Sequence, residues 1–126
     1  EKFLNKLKNN TSNLITLMNK QNLNEFIKIV VSYSFDANKY FNDAEPWAKK
    51  KDDPERMESI LFVICEQIKN ISILLSPIIP VATEKVLKIM NLNIKKLSLD
   101  DIQNMKNFNH DKELNKIDIL FSKIEK

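Results

Sequence analysis

The chain contains no glycine, although it is 126 residues long. This absence excludes the glycine-rich loops that cradle phosphates in Walker and dinucleotide-binding motifs. It also removes the residue that most often takes the left-handed conformation at the end of a helix. We therefore expect asparagine to take that role, and Asn91 and Asn93 lie where a predicted helix ends.

Cysteine and histidine are nearly absent, since Cys65 and His110 are the single examples. One cysteine cannot form an internal disulfide, so a reducing, cytoplasmic setting is expected. One residue of each kind is too few for a zinc site and gives no convincing Cys–His catalytic pair. Because Val63 and Ile64 precede it, Cys65 is predicted to be a buried, unreactive thiol.

Long apolar runs are also missing. No stretch approaches the roughly 18 residues needed to cross a bilayer, and the N-terminal EKFLNKLKNN has no signal-peptide pattern, so no membrane partner is expected. The balance of 43% hydrophobic and 29% charged residues is typical of one globular domain, over residues 1–126. A net charge of +3 permits an anionic partner without requiring one.

Apolar residues at helical spacing cover the first third of the chain. Phe3 to Met18 predicts a weak helix, or two short ones, because NNTSN interrupts the pattern with residues that favour caps and turns. Leu23 to Phe41 predicts a longer helix, capped at its start by Asn22 or Asn24.

A junction between two core helices follows. The loop NDAEPW is expected to end the first of them, because Pro46 lacks an N–H and pushes Glu45 out of the helical conformation. Asp52 then predicts a new helix as its N-cap. Glu55 stands three residues later, as in a capping box, and Pro54 is tolerated in the first turn.

The widest apolar stripe, Met57 to Leu75, predicts the central helix of the domain. Its solvent side is predicted to carry Glu66, Lys69 and Asn70. A Pro-x-x-Pro connector then leads to a further helix, Val81 to about Met90, which Pro80 opens.

The C-terminal part has weaker signals. Ser98 with Asp101 resembles a capping box and predicts a short helix, Leu99 to Met105, while Phe108 to Asn115 is polar and irregular. An extended tail or a short helix is predicted from Ile117, Ile119, Leu120 and Phe121. The predicted fold class is therefore all-α, an antiparallel bundle of four to five helices with a C-terminal tail.

Two carboxylate pairs, Asp52 with Asp53 and Asp100 with Asp101, lie at predicted helix starts. Negative charge there complements the helix dipole, so we interpret both pairs as caps. The sequence has no recognisable triad, metal cluster or nucleotide loop, and an independent enzyme is not expected.

Trp47 is the single tryptophan, and it stands at the junction with Lys49 and Lys50 close behind it. It can plug the core between two helices, with the lysines as a solvated face. It can equally present a ring to an unpaired nucleobase, a stack worth about 1–3 kcal/mol, with the lysines near phosphates. The residues themselves leave both interpretations open.

Three segments resemble methionyl-tRNA synthetases. ANKYFNDAEPW, Ala37 to Trp47, is similar to the family's stretch that ends at its anticodon-binding tryptophan. ILFVICEQIKNISILLSPIIPVATEKVLKIMNL, Ile60 to Leu92, resembles the family's helix, Pro-x-x-Pro connector and following helix. The final DILFSKIEK resembles the family's closing Leu-Phe-x-Arg-Ile-Asp/Glu, with Ser122 and Lys123 where Pro or Asn and Arg are common.

The resemblance implies that Trp47 stacks on a base of the CAU anticodon of tRNA(Met). Pro46 would hold its backbone, and Asn38 would shape the site through local hydrogen bonds. Lys49 and Lys50 are predicted to contact phosphates from their charge and position alone. It also implies a catalytic domain in the same parent chain, where methionine is attached with ATP and magnesium. This segment itself is expected to have no cofactor, no catalytic residue and no DNA partner.

A different class of function remains open. A helical bundle of this size can also be a non-catalytic interaction module that takes a partner helix into an exposed apolar groove. Protein partners that survive RNase treatment would distinguish this alternative from tRNA binding.

Overall fold

The computed structural model describes residues 2–102, and over that range it contains five α-helices and no strand. The prediction of an all-α bundle is confirmed. The elements are α1 Lys2–Asn19, α2 Leu23–Ala44, α3 Pro46–Asp52, α4 Pro54–Leu75, α5 Pro80–Ile89 and two 3₁₀ turns, Ile94–Lys96 and Leu99–Asp101. The predictions for Met105, His110 and the apolar tail from Ile117 onwards lie outside the described residues.

Helices α1 and α2 form an antiparallel hairpin. The Phe3 and Tyr40 rings lie 5.0 Å apart at one end, and further along the Asn10 side chain donates a hydrogen bond of 2.9 Å to the Tyr33 hydroxyl. Residue numbers therefore increase along α1 in the direction in which they decrease along α2. Asn22 caps the start of α2 by accepting a hydrogen bond from the Glu25 N–H, as predicted.

The expected interruption of α1 at NNTSN is wrong, because α1 is one continuous helix of 18 residues. Leu7 and Leu14, on either side of that segment, are fully buried. The polar residues between them are satisfied within the fold: Asn10 binds Tyr33, and the Thr11 hydroxyl donates to the Leu7 carbonyl. Packing of the apolar face outweighs the weak helix propensity of these side chains.

Helices α1, α2 and α5 each end at a residue in the left-handed conformation without glycine, and the α2 case, Glu45, is described with the candidate site. Gln21, after α1, has φ 56°, and Asn91, after α5, has φ 58°. In each case the next N–H reaches back to the final turn of its helix, from Asn22 to Leu17 and from Leu92 to Leu87, both at 2.9 Å. Asn91 is confirmed in the predicted role. Asn93 is not, since its φ is not positive.

Helix α4 is the centre of the bundle and contacts α2, α3, α5 and the 3₁₀ turn Leu99–Asp101. Its N-cap is Asp53, which accepts a hydrogen bond of 3.1 Å from the Arg56 N–H. The prediction of Asp52 as the cap is wrong by one residue, because Asp52 belongs to α3. The predicted capping box of Asp52 with Glu55 is therefore wrong as well. The aliphatic and aromatic core comprises Leu7, Leu14, Phe26, Val30, Tyr33, Ile73, Leu74 and Ile102.

The predicted solvent side of α4 is wrong. Glu66, Lys69 and Asn70 have no exposed surface, whereas Leu61 and Ile68 on the same helix are partly exposed to solvent. The Lys69 ammonium donates to Glu66 Oε1 at 2.6 Å, one turn apart. The two buried charges thus offset one another, which a buried ion pair requires.

The last described segment follows its predicted cap. Ser98 and Asp101 form a capping box, in which the Ser98 N–H donates to Asp101 Oδ2 at 2.7 Å. The helix it starts is a single 3₁₀ turn, Leu99–Asp101, and Ile102 then enters the core.

Candidate nucleic-acid interface

The corner between α2 and α3 consists of one residue. Helix α2 runs to Ala44, three residues beyond its predicted end, and Glu45 alone leaves the helical conformation, with φ 44° and ψ 60°. The predicted effect of Pro46 on Glu45 is confirmed. The predicted loop is absent, because Pro46 occupies the first position of α3, where a missing N–H costs nothing.

Trp47 lies in the first turn of α3 and points outward. Its side chain is 57% exposed, whereas Pro46 beside it is buried. The indole packs against the Phe41 ring in an edge-to-face arrangement, with centroids 5.6 Å apart and an interplanar angle of 62°. This geometry contradicts the core-plug interpretation, because a plug must be enclosed.

The lysines occupy the other end of the same short helix. Lys49 is half-buried, and Lys50 and Lys51 are exposed in the last turn of α3. Cations there also complement the carbonyl end of the helix. Asp52 and Asp53 follow directly, so the electrostatic field at this corner is mixed and the lysines alone do not make a basic patch.

Asn38 is exposed on α2, three residues before Phe41. The local hydrogen bond expected for it is not formed with any described residue. Its amide is therefore available to a ligand at the same corner as Trp47.

Two features of this site were not predicted from the sequence. One is α3 itself, for which the signal was a proline followed by alanine and lysines, a good helix start followed by good helix formers. The other is the pairing of Trp47 with Phe41, which has no sequence signal because it depends on the bend at Glu45.

Other kinds of site are not supported in the part of the chain that the structure covers. Among residues 2–102, no three His, Cys, Asp or Glu side chains are close enough to hold a metal ion. No helix in that range is both long and apolar enough to span a bilayer. Cys65 is half-buried, not fully buried as predicted, and burial, followed by the charge of Glu66, raises the pKa of its thiol.

An apolar groove is the second notable surface. It encloses about 220 Å³ between α2, α4 and α5. Its wall consists of Ser34, Ile68, Ile71, Ser72, Leu75, Ile79, Ala82, Thr83 and Val86. It has the character that the interaction-module alternative calls for.

Comparison with known families decides the classification. The family described as the anticodon binding domain of methionyl tRNA ligase matches residues 1–126, the whole chain. The chain belongs to this family. The resemblance read from the Pro-Trp and Pro-x-x-Pro segments is thereby confirmed.

Relatives of this anticodon-binding domain are methionine–tRNA ligases. That of Rickettsia felis is 35% identical over 79 residues, which are 63% of this chain and 15% of the relative. That of Brucella suis is 34% identical over 85 residues, 68% of this chain and 16% of the relative. That of Thermobifida fusca is 37% identical over 71 residues, which are 56% of this chain and 11% of the relative. The chain thus spans a small part of the relatives' length, and no solved structure matches it.

Proposed function

We propose that this domain recognises the CAU anticodon loop of tRNA(Met), with Trp47 stacking on an unpaired base. The observation that carries the proposal is the half-exposed indole, held at a helix corner by Phe41. Stacking needs a ring face that a base can reach, and anticodon loops offer splayed bases of this kind. The buried Pro46 fixes the backbone beside the ring.

The proposal extends to the longer protein in which such a domain acts. Its relatives are methionine–tRNA ligases, so the anticodon contact would select the tRNA that a catalytic domain of the same polypeptide charges with methionine. That domain, and not this segment, would use ATP and magnesium, and the reaction would take place in the cytoplasm.

Replacement of the indole tests the proposal directly. Trp47→Ala should weaken binding of an anticodon stem-loop RNA with a CAU loop by about 1–3 kcal/mol, while Trp47→Phe retains part of the stacking. Val81→Ala is the matched control, because Val81 is also strongly exposed but lies on α5. Equal affinities of Trp47→Ala and the parent chain would refute the proposed role.

The lysines are tested through the salt dependence of the same binding. Each phosphate contact of a single strand contributes about 0.7 to the slope of log K against log salt. Reversal of charge at Lys49 and Lys50 should flatten that slope. Lys20→Glu, beyond α1 at the far end of α2, should leave it unchanged apart from a small effect of net charge. Equal slopes in both variants would remove Lys49 and Lys50 from the interface.

The apolar groove favours a second candidate function, docking of a partner helix. Ile68→Asp would place a charge in the groove wall and should abolish such docking while leaving RNA affinity intact. A Trp47→Ala variant with normal RNA affinity, together with a partner that resists RNase and is lost with Ile68→Asp, would favour this candidate.

A further inference from the structure

Phe35 is the most exposed aromatic residue among residues 2–102, with 66% of its surface open to solvent. It lies in the middle of α2, whose opposite face is buried through Phe26, Val30, Tyr33 and Ala37. Packing of the bundle therefore gives this ring no role. A single exposed apolar side chain is common, but this ring lies on the same helix as Phe41, which contacts Trp47, and that position makes it a candidate binding residue.

Phe35 belongs to a row of side chains that leads to Trp47. Steps of three residues along a helix form a continuous ridge on its surface, and positions 35, 38 and 41 make one such ridge on α2. Its members are the exposed Phe35, the exposed Asn38 and the half-buried Phe41, whose ring contacts Trp47. The ridge thus begins at an exposed aromatic ring, continues through an exposed amide and ends at the half-buried ring that contacts the exposed Trp47.

The length of this ridge suits a short stretch of RNA. Six residues separate Phe35 from Phe41, which is about 9 Å along the helix axis. Three steps of a stacked strand cover about 10 Å. Along the axis of α2, Phe35 and Phe41 are therefore about as far apart as the ends of a stacked segment of four bases, and the Trp47 ring contacts Phe41.

The charges along the ridge permit a polyanion. Asp36, adjacent to Phe35 in sequence, is paired with Lys6 at 2.7 Å. Lys39, next to Asn38 on α2, is an exposed cation, whereas Asp43 and Glu45 are exposed near the Phe41 end, so the ridge carries charges of both signs. An asparagine amide can donate to and accept from the edge of an unpaired base.

We propose that Phe35 is a second stacking platform, for another unpaired base of the loop that Trp47 binds, and that Asn38 hydrogen-bonds a base edge between the two rings. This inference rests on the proposed function, because it assigns a further binding residue to the same RNA. Its occupant is a single-stranded RNA segment.

The affinity test compares four substitutions at one position. With the CAU stem-loop RNA and the 126-residue chain, Phe35→Ala should weaken binding about 5- to 150-fold. Phe35→Leu, which keeps apolar bulk without a π face, should lose nearly as much, whereas Phe35→Tyr and Phe35→Trp should retain affinity. Val81→Ala, an equally exposed apolar truncation on α5, should have no effect.

A spectroscopic readout separates two platforms from one. The fluorescence of 2-aminopurine, placed at each anticodon position in turn, is quenched when the base stacks. Phe35→Leu should restore fluorescence at one position and Trp47→Leu at another. Restoration at the same position by both variants would overturn the second platform.

The remaining outcomes separate the two proposals. If Trp47→Ala weakens binding and Phe35→Ala and Phe35→Leu do not, Phe35 is not a platform and the proposed function stands. If no substitution at either ring changes affinity, the proposed function fails, and the role of Phe35 fails with it. If Phe35→Ala lowers the melting temperature, the RNA affinities of Phe35→Leu and Phe35→Trp are compared instead, at a temperature where both variants are folded.

Discussion

The indole of Trp47 meets the ring of Phe41 edge to face across the corner between α2 and α3, with centroids 5.6 Å apart. The contact leaves much of the indole exposed. Phe41 therefore acts as a support that fixes the direction of the Trp47 ring without enclosing it. An edge-to-face pair contributes about 0.5–1.5 kcal/mol beyond the area it buries.

Phe41→Leu should accordingly destabilise the domain and loosen the Trp47 ring. In a double-mutant cycle with Trp47→Leu, urea unfolding should give a coupling energy of about 0.5–1.5 kcal/mol. RNA affinity should fall by less than in Trp47→Ala, because the ring remains but is less ordered. A coupling energy near zero would mean that the two rings do not support one another in solution.

Lys69→Met should be strongly destabilising. It leaves the carboxylate of Glu66 buried without its 2.6 Å partner, a change that costs about 3–5 kcal/mol in the free energy of unfolding. Adding Glu66→Leu should recover most of the loss, because an apolar pair of similar volume no longer carries an unpaired charge. Lys28→Met is the control, since its contact with Glu25 is exposed and 4.0 Å long, and it should cost less than about 1 kcal/mol. A loss at Lys69 no larger than at Lys28 would contradict the burial of this pair.

Cys65 should react slowly with iodoacetamide. Burial, and then the charge of Glu66, raise the pKa of its thiol, so at pH 8 the folded chain holds less thiolate than a free cysteine, whose pKa is about 8.5. The alkylation rate should rise with pH through a midpoint above that value, and urea should remove the difference. The raised pKa also links the thiol to stability. Its contribution to the free energy of unfolding is fully present below the pKa of the thiol in the unfolded chain, and it is lost as pH rises through the pKa of the thiol in the folded chain. A midpoint at or below that of the urea-unfolded chain would show that the thiol is not shielded.

Gln21→Gly should stabilise the domain. Gln21 has φ 56° at the end of α1, a conformation that costs a residue with a Cβ about 1–2 kcal/mol. Glycine avoids this cost but loses more conformational entropy on folding. The net effect should be a free energy of unfolding that is higher by about 1 kcal/mol. Lys20→Gly, one residue earlier and without positive φ, should instead lower it. Thermal unfolding of the two variants measures the difference. Equal effects at the two positions would show that the left-handed turn is not maintained.

Local chemistry explains which predictions succeeded. Asn22, Asn91 and Ser98 each act within a few residues of their own position, through a side-chain hydrogen bond or a tolerated positive φ, so their roles follow from neighbouring residues alone. Local predictions failed where packing against another helix outweighed local preference. Helix α1 is continuous because Leu7 and Leu14 are buried in the core and Asn10 donates a hydrogen bond to Tyr33 on α2.

The sequence by itself determined the all-α class, the order of the long helices, the break at Pro46 and the segments that place the chain among anticodon-binding domains of methionyl-tRNA ligases. These follow from apolar periodicity, proline geometry and motif. Only the tertiary structure decided that Trp47 and Phe35 are exposed while Glu66 and Lys69 are buried. A residue's burial depends on what packs against it from other helices, and periodicity along one helix identifies an apolar face without revealing how many neighbours surround the rest of it.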